Sequence, residues 1–301
     1  MRYNIEVVPC KNEEAKKKLF LTKYTCVASD PTKNIVCIHG LTFSQHVFDI
    51  DYKDYSVARY WAKKGYTVWL LDAGGHGRSQ RYKNGFDVTT ASVAKDVTYA
   101  MKVMMETQGV DKVDLLGWSW GTMVMAQAAA LCPEHTRKLV LVGPVTGGTM
   151  PAMPKECFPD DKLPIEYEFA GRLFRQANVK SGEVSSDTNY DFDITEPEVI
   201  NLAMHNLLRY DMTAAKPQGP NVEVMCAGDT ILIDGAAVKA PTLIIRGTDD
   251  IYSTNETVAG IMEKLPEGSE SVLIRGAGHG FFFERDYYAT FRETVLAFLE
   301  K

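Results

Sequence analysis

The sequence contains few cysteines, and no two of them form a C-x-x-C pair. In a chain of 301 residues the six cysteines are Cys10, Cys26, Cys37, Cys132, Cys157 and Cys226. Such scattered positions are not typical of a disulfide framework or a zinc site, so we expect buried thiols in a reducing compartment. The six histidines lack the H-E-x-x-H spacing of a metalloprotease, and no G-x-G-x-x-G phosphate-binding loop follows Gly74. We therefore expect neither a metal ion nor a cofactor.

Long apolar runs and an excess of positive charge are also missing. No uninterrupted apolar run approaches the roughly 18 residues that cross a bilayer. The first residues, from Met1 to Ile5, lack the apolar core of a signal peptide. The net charge of −6 offers no basic surface for nucleic acid. We therefore expect a cytoplasmic protein with no membrane span and no nucleic-acid partner, whose oligomeric state the sequence does not define.

What the sequence does contain is a regular alternation of strand-like and helix-like segments. Short apolar runs predict buried strands, and between them lie amphipathic segments such as 89–108, which Gly109 is expected to end. This alternation predicts an α/β fold with a mostly parallel, doubly wound sheet. The predicted strands of the parallel part lie at 35–38, 67–71, 113–116, 139–142, 242–245 and 272–274.

The alternation stops in the middle of the chain. Residues 146–238, called the insertion below, are rich in Pro, Asp, Glu and Met and are too long for a structureless loop. We therefore predict a core domain formed by residues 1–145 and 239–301, interrupted by a mainly helical cap or lid at 146–238. Within the insertion, the run from Thr195 to Glu198 fits a capping box at the start of a helix.

The pentapeptide from Gly117 to Gly121 carries the strongest functional signal. It reads Gly-Trp-Ser-Trp-Gly and lies between an apolar run and a helix of small residues. This is the strand–turn–helix context of a nucleophile elbow, which holds a serine hydroxyl clear of the sheet. We therefore interpret Ser119 as a candidate nucleophile.

Other predicted strand ends carry the groups that a serine nucleophile needs. A serine hydroxyl is a weak nucleophile at neutral pH and requires an adjacent base, which a carboxylate in turn orients. His279 follows one strand, and Asp249 and Asp250 follow another, which places the three groups in the order Ser, Asp, His. Both aspartates are candidates for the acid, and Asp229 is a third, less favoured candidate.

In these motifs and their order, the chain resembles the α/β-hydrolases over almost its whole length. Each motif follows a predicted strand, as in that family, and the insertion follows the sixth strand. The motifs are His39-Gly40, the run from Asp72 to Ser79, the elbow at Ser119, the acid at 249–250 and the Gly-x-Gly-His run ending at His279.

The resemblance implies a role for each of several residues. It favours Asp250 as the acid, because the family's acid usually stands three residues after the glycine that ends the strand. It implies that the backbone N–H groups of Leu41 and Trp120 form the oxyanion hole. An apolar substrate pocket is expected to include the side chains of Trp120, Phe169 and Phe174.

We therefore expect a serine hydrolase that cleaves a carboxylic ester of a small or medium apolar molecule through an acyl-enzyme. A proline-iminopeptidase-like aminopeptidase, a lactonase and a carbon–carbon bond hydrolase remain alternatives with the same triad. The first is disfavoured because Leu41 and Thr42 replace the glycine and proline of its oxyanion loop. A ligand-binding receptor on the same fold is the non-enzymatic alternative.

Overall fold

The computed structural model describes residues 2–145, 152–165, 194–211, 215–228 and 232–301. Within these ranges, eight strands form the main sheet, in the order β1-β2-β4-β3-β5-β6-β9-β10. In chain order the strands are β1 (Tyr3–Asn12), β2 (Lys17–Cys26), β3 (Asn34–Ile38), β4 (Thr67–Asp72), β5 (Val113–Trp118), β6 (Thr136–Val142), β7 (Lys162–Pro164), β8 (Ala215–Pro217), β9 (Thr242–Gly247) and β10 (Glu270–Ile274).

The sheet is mostly parallel. Strands β1 and β2 form an antiparallel hairpin, and β2 also pairs antiparallel with β4. From β4 to β10, all five neighbouring pairs are parallel. The carboxyl ends of these strands therefore lie along one edge, where open α/β sheets place their functional residues.

Helices cover both faces of the sheet. The α-helices are α1 (Val57–Lys63), α2 (Thr90–Gln108), α3 (Trp120–Leu131), α4 (Pro197–Tyr210), α5 (Gly219–Met225), α6 (Asn255–Met262) and α7 (Tyr288–Leu299). Short 3-10 helices occupy Gln45–Phe48, Gly85–Asp87, Lys155–Cys157 and Gly235–Ala237. Gly109 ends α2 in the left-handed conformation, with φ of 66°, as the sequence predicts.

Alternate residues of the central strands divide into two hydrophobic cores. Ile35 and Cys37 pack with α1 and α7 on one face, whereas Val36 and Ile38 pack with α2 and α3 on the other. Every residue of β3 is buried, as expected of a strand covered on both sides. This arrangement confirms the predicted α/β fold with a doubly wound, mostly parallel sheet.

The described part of the insertion adds no strand to the main sheet. Strand β6 before it and β9 after it are direct neighbours, and β7 and β8 pair only with each other. The boundaries 146–238 stay a prediction. No helix among the described residues is long and apolar enough to cross a membrane.

The predicted capping box at Thr195 is wrong. Helix α4 begins one residue later than such a box requires, with Glu196 as its N-cap and Pro197 at the first turn. Proline suits this position because it has no N–H and its φ is already helical. The Glu196 carboxylate accepts hydrogen bonds from Lys53 Nζ, at 2.5 Å, and Tyr55 Oη, at 3.0 Å, and thus attaches α4 to the core.

Candidate active site

Ser119 occupies a strained turn between β5 and α3. Its φ of 57° and ψ of −126° lie outside the regions that a non-glycine residue ordinarily adopts. Its N–H donates to Val142 O at 2.9 Å, and its own carbonyl accepts from Thr122 Oγ1 at 2.6 Å. A Cβ at Gly121 would lie only 2.7 Å from His39 O, so the glycine permits this close approach.

The acid and the imidazole form a buried pair. His279 Nδ1 lies 2.9 Å from Asp250 Oδ2 and 3.0 Å from Oδ1. Asp250 is 5% exposed and His279 is 8% exposed, so water screens this interaction little. In contrast, Asp249 Oδ1 accepts from Thr248 Oγ1 at 2.8 Å. Of the two neighbouring aspartates, Asp250 contacts the histidine; Asp229 lies outside the described residues.

Trp118 joins the nucleophile turn to the histidine loop. It immediately precedes Ser119, and its Nε1 donates to His279 O at 3.0 Å. Its ring centroid also lies 5.5 Å from that of His279. The structure thus brings the loops that carry Ser119, Asp250 and His279 together at the carboxyl edge of the sheet.

The loop after β3 lies against Ser119. A Cβ placed on Gly40 would be 3.4 Å from Ser119 Oγ. His39 stabilises this loop: its Nε2 accepts from Ala73 N at 3.1 Å, so its Nδ1 carries the proton and donates to Gly40 O at 2.8 Å. Burial lowers the pKa of His39 to about 4, which keeps the ring neutral.

His76 holds the next residue of that loop. Its Nε2 lies 3.0 Å from Leu41 O, and burial lowers its pKa well below the usual value. The neutral ring can donate this proton to the Leu41 carbonyl. The two peptide groups that flank Leu41 are therefore oriented by two neutral histidines.

The backbone N–H of Trp120 fits its predicted role, whereas its side chain does not. As the first residue of α3, it has a backbone N–H without an intrahelical acceptor, as an oxyanion donor requires. Its indole, however, is completely buried and donates from Nε1 to Thr90 Oγ1 at 3.0 Å. The side chain therefore packs in the core, and this arrangement does not support its assignment to a substrate pocket. Phe169 and Phe174 lie outside the described residues.

A lysine of the insertion reaches the loop after β3. Lys216 in β8 is 3% exposed, and its Nζ donates to Thr42 Oγ1 at 3.0 Å. Burial lowers the pKa of this ammonium group to about 8. Its strand neighbour Pro217 instead lines a cavity of about 320 Å³, as expected from the alternation of side chains along a strand.

The end of α4 is attached to the core by a stacked ring and an ion pair. The Tyr210 ring stacks on His46 at a centroid separation of 4.0 Å, and the Arg78 guanidinium lies 4.3 Å from the Tyr210 ring centre. Asp211, the next residue, forms an ion pair with Arg81. The end of α4 is thereby held at the same edge of the sheet as Ser119.

Comparison with known proteins identifies the family. A sequence model described as the alpha/beta hydrolase fold matches residues 33–286. The chain belongs to this alpha/beta hydrolase family. The match covers most of the chain and includes the elbow at Ser119 and the loop of His279.

Three proteins illustrate the similarity of this hydrolase to others, each at low sequence identity. It is 25% identical to a 2-hydroxy-6-oxononadienedioate/2-hydroxy-6-oxononatrienedioate hydrolase from Escherichia coli, over 96% of this chain and 94% of the relative. A solved esterase from Exiguobacterium antarcticum has a TM-score of 0.67 at 17% identity, over 98% and 100% of the two chains. A solved enol-lactonase from Burkholderia xenovorans has a TM-score of 0.65 at 17% identity, over 95% and 97%.

Sequence reasoning missed two residues beside the Asp250–His279 pair of this hydrolase. Gly143 follows β6, and a Cβ there would lie 3.0 Å from both Asp250 Oδ2 and His279 Nδ1. Glu284 is buried and accepts from the Gly278 N–H. Neither lies in a motif that predicts chemistry. Across the described residues, no group of three or more metal-ligating side chains occurs.

Replacing Gly143 with alanine is expected to disrupt the Asp250–His279 pair. Gly143 has φ of 53°, and Gly109 has φ of 66° with nothing within 4 Å of the place where an alanine methyl group would lie. Both Gly143→Ala and Gly109→Ala should lose about 1–2 kcal/mol of stability, because alanine is strained in the left-handed region. Only Gly143→Ala should also lower the rate of covalent labelling of Ser119 by a fluorophosphonate. Equal labelling rates in the two variants would contradict the prediction that a methyl group at Gly143 disrupts the Asp250–His279 pair.

Proposed function

We propose that this protein is a serine hydrolase that cleaves a carboxylic ester of a small or medium apolar molecule through an acyl-enzyme. The observation that carries the proposal is the buried hydrogen bond between Asp250 and His279 Nδ1, at 2.9 Å, beside the strained turn of Ser119. The carboxylate favours the tautomer with the proton on Nδ1, which leaves Nε2 as the base.

The reaction then proceeds in two halves. His279 Nε2 accepts the hydroxyl proton as Ser119 Oγ attacks the carbonyl carbon, and Asp250 stabilises the resulting imidazolium. The imidazolium next gives its proton to the leaving alkoxide, which departs as the alcohol and leaves an ester on Ser119. Water attacks that ester with the same base, which releases the acid and restores the serine.

The negative charge of each tetrahedral intermediate requires donors that are already oriented. The N–H of Trp120 at the start of α3 and the N–H of Leu41 are the proposed pair. The neutral histidines that hold the Leu41 loop support this proposal, since an oriented donor needs no reorganisation during the reaction. Loss of one such donor typically raises the barrier by about 3–4 kcal/mol.

Carbon–carbon bond cleavage is the second candidate. It is favoured by the curated relative from Escherichia coli, which is named as a hydrolase of 2-hydroxy-6-oxononadienedioate and aligns over 96% of this chain. The same triad could act on such a ketone, with a carbon leaving group in place of the alkoxide. The enol-lactonase similarly keeps lactone hydrolysis as an alternative.

A fluorophosphonate probe tests the class of protein. An activated Ser119 should form a stable adduct on the intact protein, detected as a mass increase on the peptide that contains Ser119. Ser119→Ala should not be labelled and should lower kcat for any ester substrate by roughly 10³- to 10⁶-fold. A folded wild-type protein that forms no adduct would favour a ligand-binding receptor.

The two neighbouring aspartates provide a matched pair of variants. Asp250→Asn removes the charge that orients His279 and should lower kcat by about 10⁴-fold, as in other triad enzymes. Asp249→Asn removes the same charge one residue away, where the side chain accepts from Thr248, and should change kcat little. Steady-state hydrolysis of an aryl ester measures both. A larger loss in Asp249→Asn would assign the acid to Asp249.

A substrate panel separates the proposed bond types. We expect the highest kcat/KM for aryl esters of short or medium acyl chains. The panel should also contain simple lactones, proline and alanine arylamides and a 2-hydroxy-6-oxo-dienoate. Selective cleavage of the dienoate, with slow ester hydrolysis, would replace the ester proposal by carbon–carbon bond hydrolysis.

A further inference from the structure

A buried glutamate lies directly behind the histidine loop. Glu284 is 1% exposed, although carboxylic acids are seldom fully buried without a specific partner. Its Oε2 and Oε1 lie 3.0 and 3.2 Å from the Gly278 nitrogen, which donates to them. Gly278 immediately precedes His279, so this contact is one peptide away from the imidazole.

The backbone around His279 is held from three directions. Asp249 N–H, next to the acid, donates to Ala277 O at 2.9 Å. Trp118 Nε1, next to the nucleophile, donates to His279 O at 3.0 Å. Glu284 supplies the third contact, because it accepts from the Gly278 N–H of the same peptide group whose Ala277 carbonyl binds the Asp249 N–H.

We propose that Glu284 is a positioning residue for the triad, whose buried side chain orients the Gly278 peptide and thereby holds the His279 ring against Asp250. This inference rests on the function proposed above. Glu284 acts on the peptide group between Ala277 and Gly278, which leads into the base, and takes no part in proton transfer. A misplacement of the base by about 1 Å can lower a rate roughly 100-fold, so an anchor of this kind is significant for catalysis.

The surroundings of Glu284 determine its charge. Burial raises its pKa to about 8, and the negative charges of Asp250 and Asp249 act in the same direction. Other titratable groups around this loop are His279 within it, Tyr252, whose ring packs edge-on against His279 at a centroid separation of 4.9 Å, and Tyr287. The Tyr287 pKa is raised by its own partial burial and by Glu284. Glu284 is therefore mostly neutral at pH 7, and it still accepts through its carbonyl oxygen.

Two variants of Glu284 test the proposal. Glu284→Ala removes the acceptor and should slow fluorophosphonate labelling of Ser119 at pH 7 by roughly 10- to 100-fold. Glu284→Gln keeps an acceptor oxygen of the same reach and should label within about three-fold of wild type. Asp286→Asn, an exposed acid two residues away, is the matched control and should label as wild type does.

The pH dependence distinguishes positioning from a merely structural role. Wild type should show a change in labelling rate near pH 8, where Glu284 ionises beside Asp250, and Glu284→Gln should lack it. The pH dependence of the stability should also reflect the ionisation of Glu284. Because its pKa is raised from 4.5 in the unfolded chain to about 8, wild type loses stability relative to Glu284→Gln as the pH rises between these values.

The outcomes are separable. Labelling of Glu284→Ala at the wild-type rate, or equally slow labelling of Glu284→Gln and Glu284→Ala, would overturn the positioning role. Wild type that is not labelled at all would contradict the proposed function. In that case the downfield NMR resonance of the His279 Nδ1 proton still tests Glu284, because it reports the contact with Asp250 without any reaction. It should be retained in Glu284→Gln and lost in Glu284→Ala, and an unchanged resonance in Glu284→Ala would overturn the inference.

Discussion

The strained backbone of Ser119 is the constraint on which the rest of the site depends. A non-glycine residue at φ of 57° is unfavourable by itself and persists only where its surroundings over-determine it. Here the surroundings are three neighbouring strands: β5 leads into the turn, the end of β6 accepts the Ser119 N–H, and the end of β3 packs against Gly121. The packing of the parallel sheet thus stabilises an uncommon backbone conformation at Ser119.

The other site residues are coupled through their sequence neighbours. Trp118 and Asp249, which are adjacent to Ser119 and Asp250, both contact the backbone that carries His279. Hydrogen bonds of about 3 Å therefore link the strand ends before Ser119 and Asp250 to the loop of His279. Such a closed set of contacts explains how residues far apart in the chain can keep one geometry.

The sequence was sufficient for the parts of this hydrolase that follow from periodicity and motif order. The sheet belongs to this class, and so does the placement of Ser119 and His279 after strand ends, because buried strands and strand-end residues leave regular patterns. Which of the two neighbouring aspartates contacts His279 required coordinates, since propensity cannot separate Asp249 from Asp250 in one turn. The direction of the Trp120 side chain likewise depends on packing against Thr90, which lies in a different helix.

Glu284 shows a further limit of sequence reasoning. It follows three phenylalanines in a loop, and no periodicity relates it to Gly278 six residues earlier. Phe281, Phe282 and Phe283 are all buried in the core cluster that contains Trp118, so the burial of Glu284 depends on tertiary packing. Tertiary contacts of this kind leave no local pattern that a single sequence can reveal.

The pairing of β6 with β9 has a consequence for how this protein can diversify. Val142 and Ile245 lie side by side in the sheet, although about a hundred residues separate them in the chain. The entropic cost of bringing together the two ends of such a chain segment grows only with the logarithm of its length, by about 0.6 kcal/mol per doubling. Natural variation can therefore lengthen, shorten or replace the segment between these two strands at little thermodynamic penalty, while the sheet that holds Ser119 and Asp250 stays unchanged.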